Sequence, residues 1–254
     1  MSEPGNDARL SDGLAAASIA FEAGQLLLTL RPASIETGTT ASGNTADVDA
    51  DQLIFGRLRT AFRDDAILSE EAPDSRDRLD AARVWIVDPL DGTREYNEAG
   101  RDDWAVHVAL YSEGVLSAGA VALPAEAMLF STITPFPRKP AGARPRIAVS
   151  RSRAPEAAIA AAERLGATLV PMGSAGAKAM AVVRGDVDAY VHAGGQWEWD
   201  SAAPIAVARA SGLYTCRLDG SEFNWNQESP WQPDLVICRP ELAPALLGAL
   251  AEAA

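Results

Sequence analysis

The chain has 254 residues, 48% of them hydrophobic, a formal net charge of −13 and two cysteines, so a substantial core fits, with room for two lobes. The acidic balance and dispersed basic residues exclude a nucleic-acid backbone as the expected partner. Two histidines, and cysteines without ligand spacing, disfavour zinc. No signal peptide or membrane span is expected, and unpaired cysteines fit a reducing cytoplasm.

In chain order, residues 11–30 (SDGLAAASIAFEAGQLLLTL) form an amphipathic helix candidate and 46–62 a second, with Asp47 at its head, where a solvated helix-start acid is the default. Between them, the Gly/Thr/Ser-rich stretch 31–44 is expected to be a mobile connection that folds over a site as a lid. AILSEEAP, 66–73, is a short strand that ends in Glu70 and Glu71. Val84–Val87 is an apolar run without polar alternation, which suits a strand covered on both faces. Pro89 is expected to end its ladder, and DPLDG reads equally well as a reverse turn or as a metal site built on Asp88 and Asp91.

Strands are expected at 103–111, 115–123 and 127–133, completing a first sheet with 66–69 and 84–88. His107 falls in the alternating DDWAVHVAL and reads as a packed strand histidine. The proline- and arginine-rich 133–145 reads as a linker, which places an α+β lobe at 1–140 and a smaller α/β lobe at 141–254. In the second half, GSAGA (173–177) opens a helix with Lys178 one turn in, either exposed or directed at an anion at the helix N-terminus. His192, near the end of VDAYVHAGG, is not favoured for a pocket role. Asp200 precedes the helical SAAPIAVARA and, read alone, is an N-cap before it is a ligand.

Acids gathered at strand ends repel one another, and burying several together is costly unless a cation neutralises them. An all-oxygen set suits Mg²⁺, with Mn²⁺ as the alternative. A serine or cysteine nucleophile has no recognisable activating motif.

Glu-Glu after a strand, then WIVDPLDGT, then WDSAA in the last third resembles the inositol monophosphatase superfamily of Mg²⁺-dependent, lithium-sensitive phosphatases. DGTREY (91–96), SRS (150–152) and GSAGAKAMAVVRGDVDAY (173–190) are most similar to its 3′(2′),5′-bisphosphate nucleotidase, or CysQ-type, branch. The resemblance implies a five-layer αβαβα sandwich with the site between the lobes, two to three Mg²⁺ ions, and a homodimer. It implies Glu70, Asp88, the Leu90 carbonyl, Asp91 and Asp200 as metal ligands, with Glu71 a neighbour of the site. Thr93 would position the attacking water and Asp47 would orient Thr93. Gly92 and Thr93 would offer backbone N–H groups to phosphate.

For substrate contact the reading adds Gly173 and Ser174 through their backbone, and Lys178. Arg94, Ser150 and Arg151 in their motifs are candidates at a second phosphate, with surface ion pairing the plain alternative for the arginines. Adenine would stack at the aromatic loop in which Trp197 and Trp199 flank Glu198, with Trp199 the candidate contact, against the commoner role of an indole in packing. The chain departs from the family pattern at TGTTASGNTAD, where a lysine and a Val-Thr pair are usual. The implied activity is hydrolysis of the 3′-phosphate of 3′-phosphoadenosine 5′-phosphate, and of 3′-phosphoadenylyl sulfate, in sulfate assimilation. The alternatives are an inositol-1-phosphate or fructose-1,6-bisphosphate phosphatase, and a silent metal- and phosphate-binding regulator.

Overall fold

The computed structural model describes residues 4–37 and 40–253. Helices α1 (Pro4–Thr37) and α2 (Thr40–Ala61) lead into β1 (Ala66–Ser69), β2 (Arg83–Asp91), the single turn α3 (Thr93–Tyr96), β3 (Ala105–Ser112), β4 (Val115–Leu123) and β5 (Met128–Ser131). After an exposed stretch with little regular structure follow β6 (Arg146–Ser150), α4 (Glu156–Leu165), β7 (Thr168–Met172), α5 (Ala175–Arg184), β8 (Ala189–Trp197), α6 (Glu198–Ala210), β9 (Tyr214–Cys216), β10 (Trp231–Cys238) and α7 (Ala243–Ala251).

The strands form two five-stranded sheets, ordered β1-β2-β3-β4-β5 and β7-β6-β8-β10-β9. Helices α1 and α2 cover the outer face of the first sheet, α5 and α6 lie between the sheets, and α4 and α7 cover the outer face of the second. That is the expected αβαβα sandwich. It also explains the run Val84–Val87: Trp85 and Val87 enter the core under α1 and α2, while Val84 and Ile86 enter the core shared with α5 and α6. A strand apolar on both faces needs a layer on each.

Two expectations are corrected. Residues 31–37 complete α1 and α2 begins at Thr40, so the described parts of the expected lid are helix ends; residues 38 and 39 lie outside the described residues. Tertiary anchoring outweighs the modest helix propensity of Ser and Thr there. The Arg31 side chain donates to the Tyr96 carbonyl at 2.9 Å and to that of Arg101, fixing the end of α1 to the α3 loop. Pro89 does not end the ladder either: β2 continues to Asp91 through a register shift between Asp88 and Asp91. Proline lacks the ladder N–H, and an irregularity of this kind accommodates it.

Segment Arg9–Pro32 of α1 is long and apolar enough to cross a membrane by length and composition alone. Its Ala16, Ile19, Ala20, Ala23 and Leu27 are buried in the core beneath the first sheet, as in the core helix of a globular protein.

Candidate metal and phosphate site

Only β1 and β2 run parallel in the first sheet, so the ends that carry Glu70 and Asp88 lie on the same side. The middle-layer helices add their N-termini: Asp200 stands in the first turn of α6, and Asp91 receives the first turn of α5. One carboxylate oxygen from each of Asp88, Asp91 and Asp200 lies within 4.8 Å of the others. Helix N-termini carry partial positive charge, which offsets some of the repulsion among these acids.

The electrostatics remain unfavourable without a cation. Burial, then Glu70, Asp91 and Asp200, push Asp88 well above the usual carboxylate range. Burial, then the charge of Asp200, raise Glu70 to about 7, although as a whole residue it is exposed and only its carboxyl is crowded. Burial and Asp91 raise Asp200 to about 6. Burial, Glu71 and Glu70 raise Asp47 to about 8 against a hydrogen bond with Thr93. Asp88 Oδ2 and Asp47 Oδ1 are buried with no hydrogen-bond partner among the described residues. Unbonded buried oxygens in an all-carboxylate set fit a hard divalent ion.

Asp91 differs from its neighbours. Burial opposes its charge, but His107, Lys178 and Ser174 outweigh burial and hold it below the usual range. The Ser174 hydroxyl donates to it, as do the backbone N–H groups of Ala175 at 3.1 Å and Gly176 at 2.6 Å. His107 Nε2 lies 3.3 Å from Asp91, and Nδ1 is 3.0 Å from the Trp199 carbonyl oxygen. His107 is a packed strand histidine, as expected, but it also braces the acidic cluster. The ladder pairing of His107 with Asp88, invisible before the register is known, puts it there.

Several expected roles change. Asp200 is not an N-cap: α6 starts at Glu198, and the Asp200 carboxylate accepts the Trp197 N–H at 2.6 Å from the first turn. Gly173 does not present a free backbone donor to substrate, and the Ser174 hydroxyl is already taken. The Gly173 N–H is committed to Asp103 at 2.5 Å and the Ser174 side chain to Asp91. Lys178 is buried and donates to the Gly173 carbonyl at 3.0 Å and to that of Ser174. It is therefore not the exposed lysine: two of its three N–H groups are taken by carbonyls, and it lines the cleft beside Asp91.

Arg151 pairs with Glu95 at 2.6 Å and Glu98 at 2.8 Å, the ion-paired alternative, so the SRS and DGTREY motifs bind each other. Arg94 is exposed on α3. Gly92 is the N-cap of α3 at φ 91°, a left-handed conformation suited to glycine, and the Thr93 hydroxyl lies 3.4 Å from the Leu90 carbonyl oxygen.

A cleft of about 320 Å³ opens beside the acids, lined by Asp91, Asp200, Ser150, Ser174 and Lys178 from the expected set. Its other wall is Tyr190, His192, Gln196, Trp197 and Trp231. Trp199 does not line it: its ring lies under Trp197, with centroids 5.3 Å apart and planes at 17°. Trp197 and Trp231 face the cleft instead, edge to face at 5.2 Å. Trp231 joins Trp197 through the pairing of β8 and β10, and only the strand-like PDLVIC after it hinted at that.

The chain belongs to the inositol monophosphatase family, whose model matches residues 11–253. A 3′-phosphoadenosine 5′-phosphate phosphatase of Mycobacterium leprae is 48% identical over 96% of this chain and 95% of its own length. The 3′(2′),5′-bisphosphate nucleotidase CysQ of Escherichia coli is 29% identical over 71% of this chain and 78% of its own. Among solved structures, CysQ of Bacteroides thetaiotaomicron superposes with a TM-score of 0.77 at 23% identity over 90% of this chain and 97% of that one. An inositol monophosphatase from Anabaena has the same TM-score at 20% identity over 96% of both chains, so the fold is shared across the family.

Proposed function

We propose that the protein is a Mg²⁺-dependent phosphatase that removes the 3′-phosphate of 3′-phosphoadenosine 5′-phosphate, with 3′-phosphoadenylyl sulfate as a second substrate. The observation that carries this reading is the convergence of Asp88, Asp91 and Asp200 beside an aromatic-walled cleft, in a chain 48% identical to a phosphatase of that name. The indoles of Trp197 and Trp231 offer a flat surface for a nucleobase, which inositol phosphates and fructose bisphosphate lack. The cellular role in this reading is recycling in sulfate assimilation, in the cytoplasm, by a homodimer of chains with lobes at 1–140 and 141–254.

Asp88, Asp91, Asp200, Glu70 and the Leu90 carbonyl are the groups that would hold two to three ions. Bound there, the metal supplies positive charge against the phosphate and acidifies the attacking water. The residues set the geometry. The Thr93 hydroxyl, oriented by its hydrogen bond with Asp47, positions the water for in-line attack. The Gly92 and Thr93 backbone N–H groups face the phosphate, with Arg94 at the edge. Ser150 lines the cleft and would meet the substrate there. The buried Lys178 offsets the negative charge around Asp91 without leaving its two carbonyls.

The test is phosphate release from 3′-phosphoadenosine 5′-phosphate, inositol 1-phosphate and fructose 1,6-bisphosphate with Mg²⁺, repeated with added Li⁺. A marked preference for the nucleotide and inhibition by Li⁺ are expected. Comparable rates on all three would refute the nucleotidase reading, and no turnover would favour a silent binding protein.

A further inference from the structure

Gln196, near the end of β8, is 6% exposed, and neither its Oε1 nor its Nε2 has a hydrogen-bond partner among the described residues. A buried carboxamide with both polar atoms unbonded is costly and points to a partner that the protein itself does not supply. Its neighbour across the ladder, Gln232, does not answer it, because the Gln232 Nε2 donates to the Asn224 carbonyl at 2.7 Å. Gln196 lines the same cleft as Asp91 and Asp200.

Its surroundings have the shape of a base site. Trp197 and Trp231 are 40% and 45% exposed although both line the cleft, an unusual cost for two adjacent indoles. Gly195, at φ +92°, is required by Trp231: a Cβ there would meet the indole at 1.7 Å. The ring therefore packs closely against the Gly195 backbone, and its remaining exposure is toward the cleft that it lines. Trp197 is backed by Trp199, so both aromatic surfaces are held in place.

We infer that Gln196 reads the amino-bearing edge of an adenine that stacks on Trp231 or Trp197, and so sets the nucleobase specificity of the cleft. A carboxamide offers one donor and one acceptor side by side, and adenine presents the matching acceptor and donor on either edge that includes its 6-amino group. The acids at the other end of the cleft would then meet the ribose phosphate. The inference rests on the nucleotidase reading and adds to it a residue that selects the base.

The test compares kcat/KM for 3′-phosphoadenosine 5′-phosphate and for its purine analogue lacking the 6-amino group, in the wild-type enzyme, Gln196→Leu and Trp231→Ala, all with Mg²⁺. The wild type is expected to prefer adenine by roughly ten- to hundredfold, carried by KM, the range for one bidentate base contact. That preference collapses in Gln196→Leu, whereas Trp231→Ala raises KM for both substrates and keeps it. Equal wild-type efficiency on both substrates overturns the inference without needing any variant to fold. A preference that survives in Gln196→Leu overturns it too. No release from either nucleotide by the wild type overturns the phosphatase reading, and the inference with it.

Discussion

The Gly176 backbone N–H donates to the Asp91 carboxylate at 2.6 Å across 85 positions of sequence. One acid from the first sheet thus terminates a helix of the middle layer while facing the site. The contact requires glycine: a Cβ at 176 would lie 2.1 Å from His107 Nε2 and 2.9 Å from the Ala105 side chain.

Gly176→Ala should therefore cost about 1–3 kcal/mol by overpacking, seen as a Tm lower by several degrees, with kcat reduced because Asp91 moves with the helix. Gly56→Ala is the control. Position 56 is exposed within α2 with nothing near the added methyl, so helix propensity should raise stability by up to about 1 kcal/mol. Opposite signs for the two variants in thermal unfolding check the argument; equal signs count against it.

Asp88→Asn should reduce Mg²⁺-dependent phosphate release to background. In metal-free protein burial and the neighbouring acids already favour the protonated, neutral form of Asp88, so a neutral amide there should leave Tm without metal unchanged or raise it. The rise in Tm that Mg²⁺ gives the wild type should shrink. An active variant overturns Asp88 as a ligand.

The raised acids predict how metal-free stability depends on pH. Asp47 at about 8, Glu70 at about 7 and Asp200 at about 6 keep protons in the folded chain that the unfolded chain has already released above about pH 4. The folded state then binds more protons than the unfolded one, so this contribution is fully present below pH 4 and is lost as pH rises through 8. Asp91, depressed instead, contributes stability that is lost only at still lower pH. Denaturant unfolding in chelator should show stability falling from pH 5 to 8, and saturating Mg²⁺ should flatten the fall. A rise over that range in chelator contradicts the clustering.

Arg78 is 1% exposed, and its guanidinium holds Asp74 at 2.7 Å, Asn226 Oδ1 at 2.6 Å and the Gln227 carbonyl at 2.9 Å. Glu198 secures the same segment by accepting the Asn226 and Gln227 N–H groups. Arg78→Met should cost about 3 kcal/mol and, by loosening the segment that leads into Trp231, raise KM more than it lowers kcat. Unchanged KM with lowered Tm would limit Arg78 to a structural role.

The layered fold was legible because each strand of the first sheet is marked by its own apolar run: 115–123 is β4 to the residue, and Val84–Val87 states by its lack of alternation that both faces are covered. The acids were legible because they sit at strand ends in short motifs. Contacts that depend on register or on distant elements were not. His107 reaches Asp91 only through the β2–β3 pairing, and Trp231 meets Trp197 only through β8–β10. Of the two indoles that flank Glu198 beside Asp200, Trp199 looked like the stacking residue, but the start of α6 turns its ring beneath Trp197, which lines the cleft. Nothing local to Gln196 marks its unbonded carboxamide.

The path of the chain through the exposed 133–145 stretch has a practical consequence. Asp88 precedes it and Asp200 follows it, so a polypeptide severed there would leave each fragment with an incomplete set of acids. Divalent-ion binding would then be a property of the reassociated pair, and the ion would serve as a reporter of reassembly.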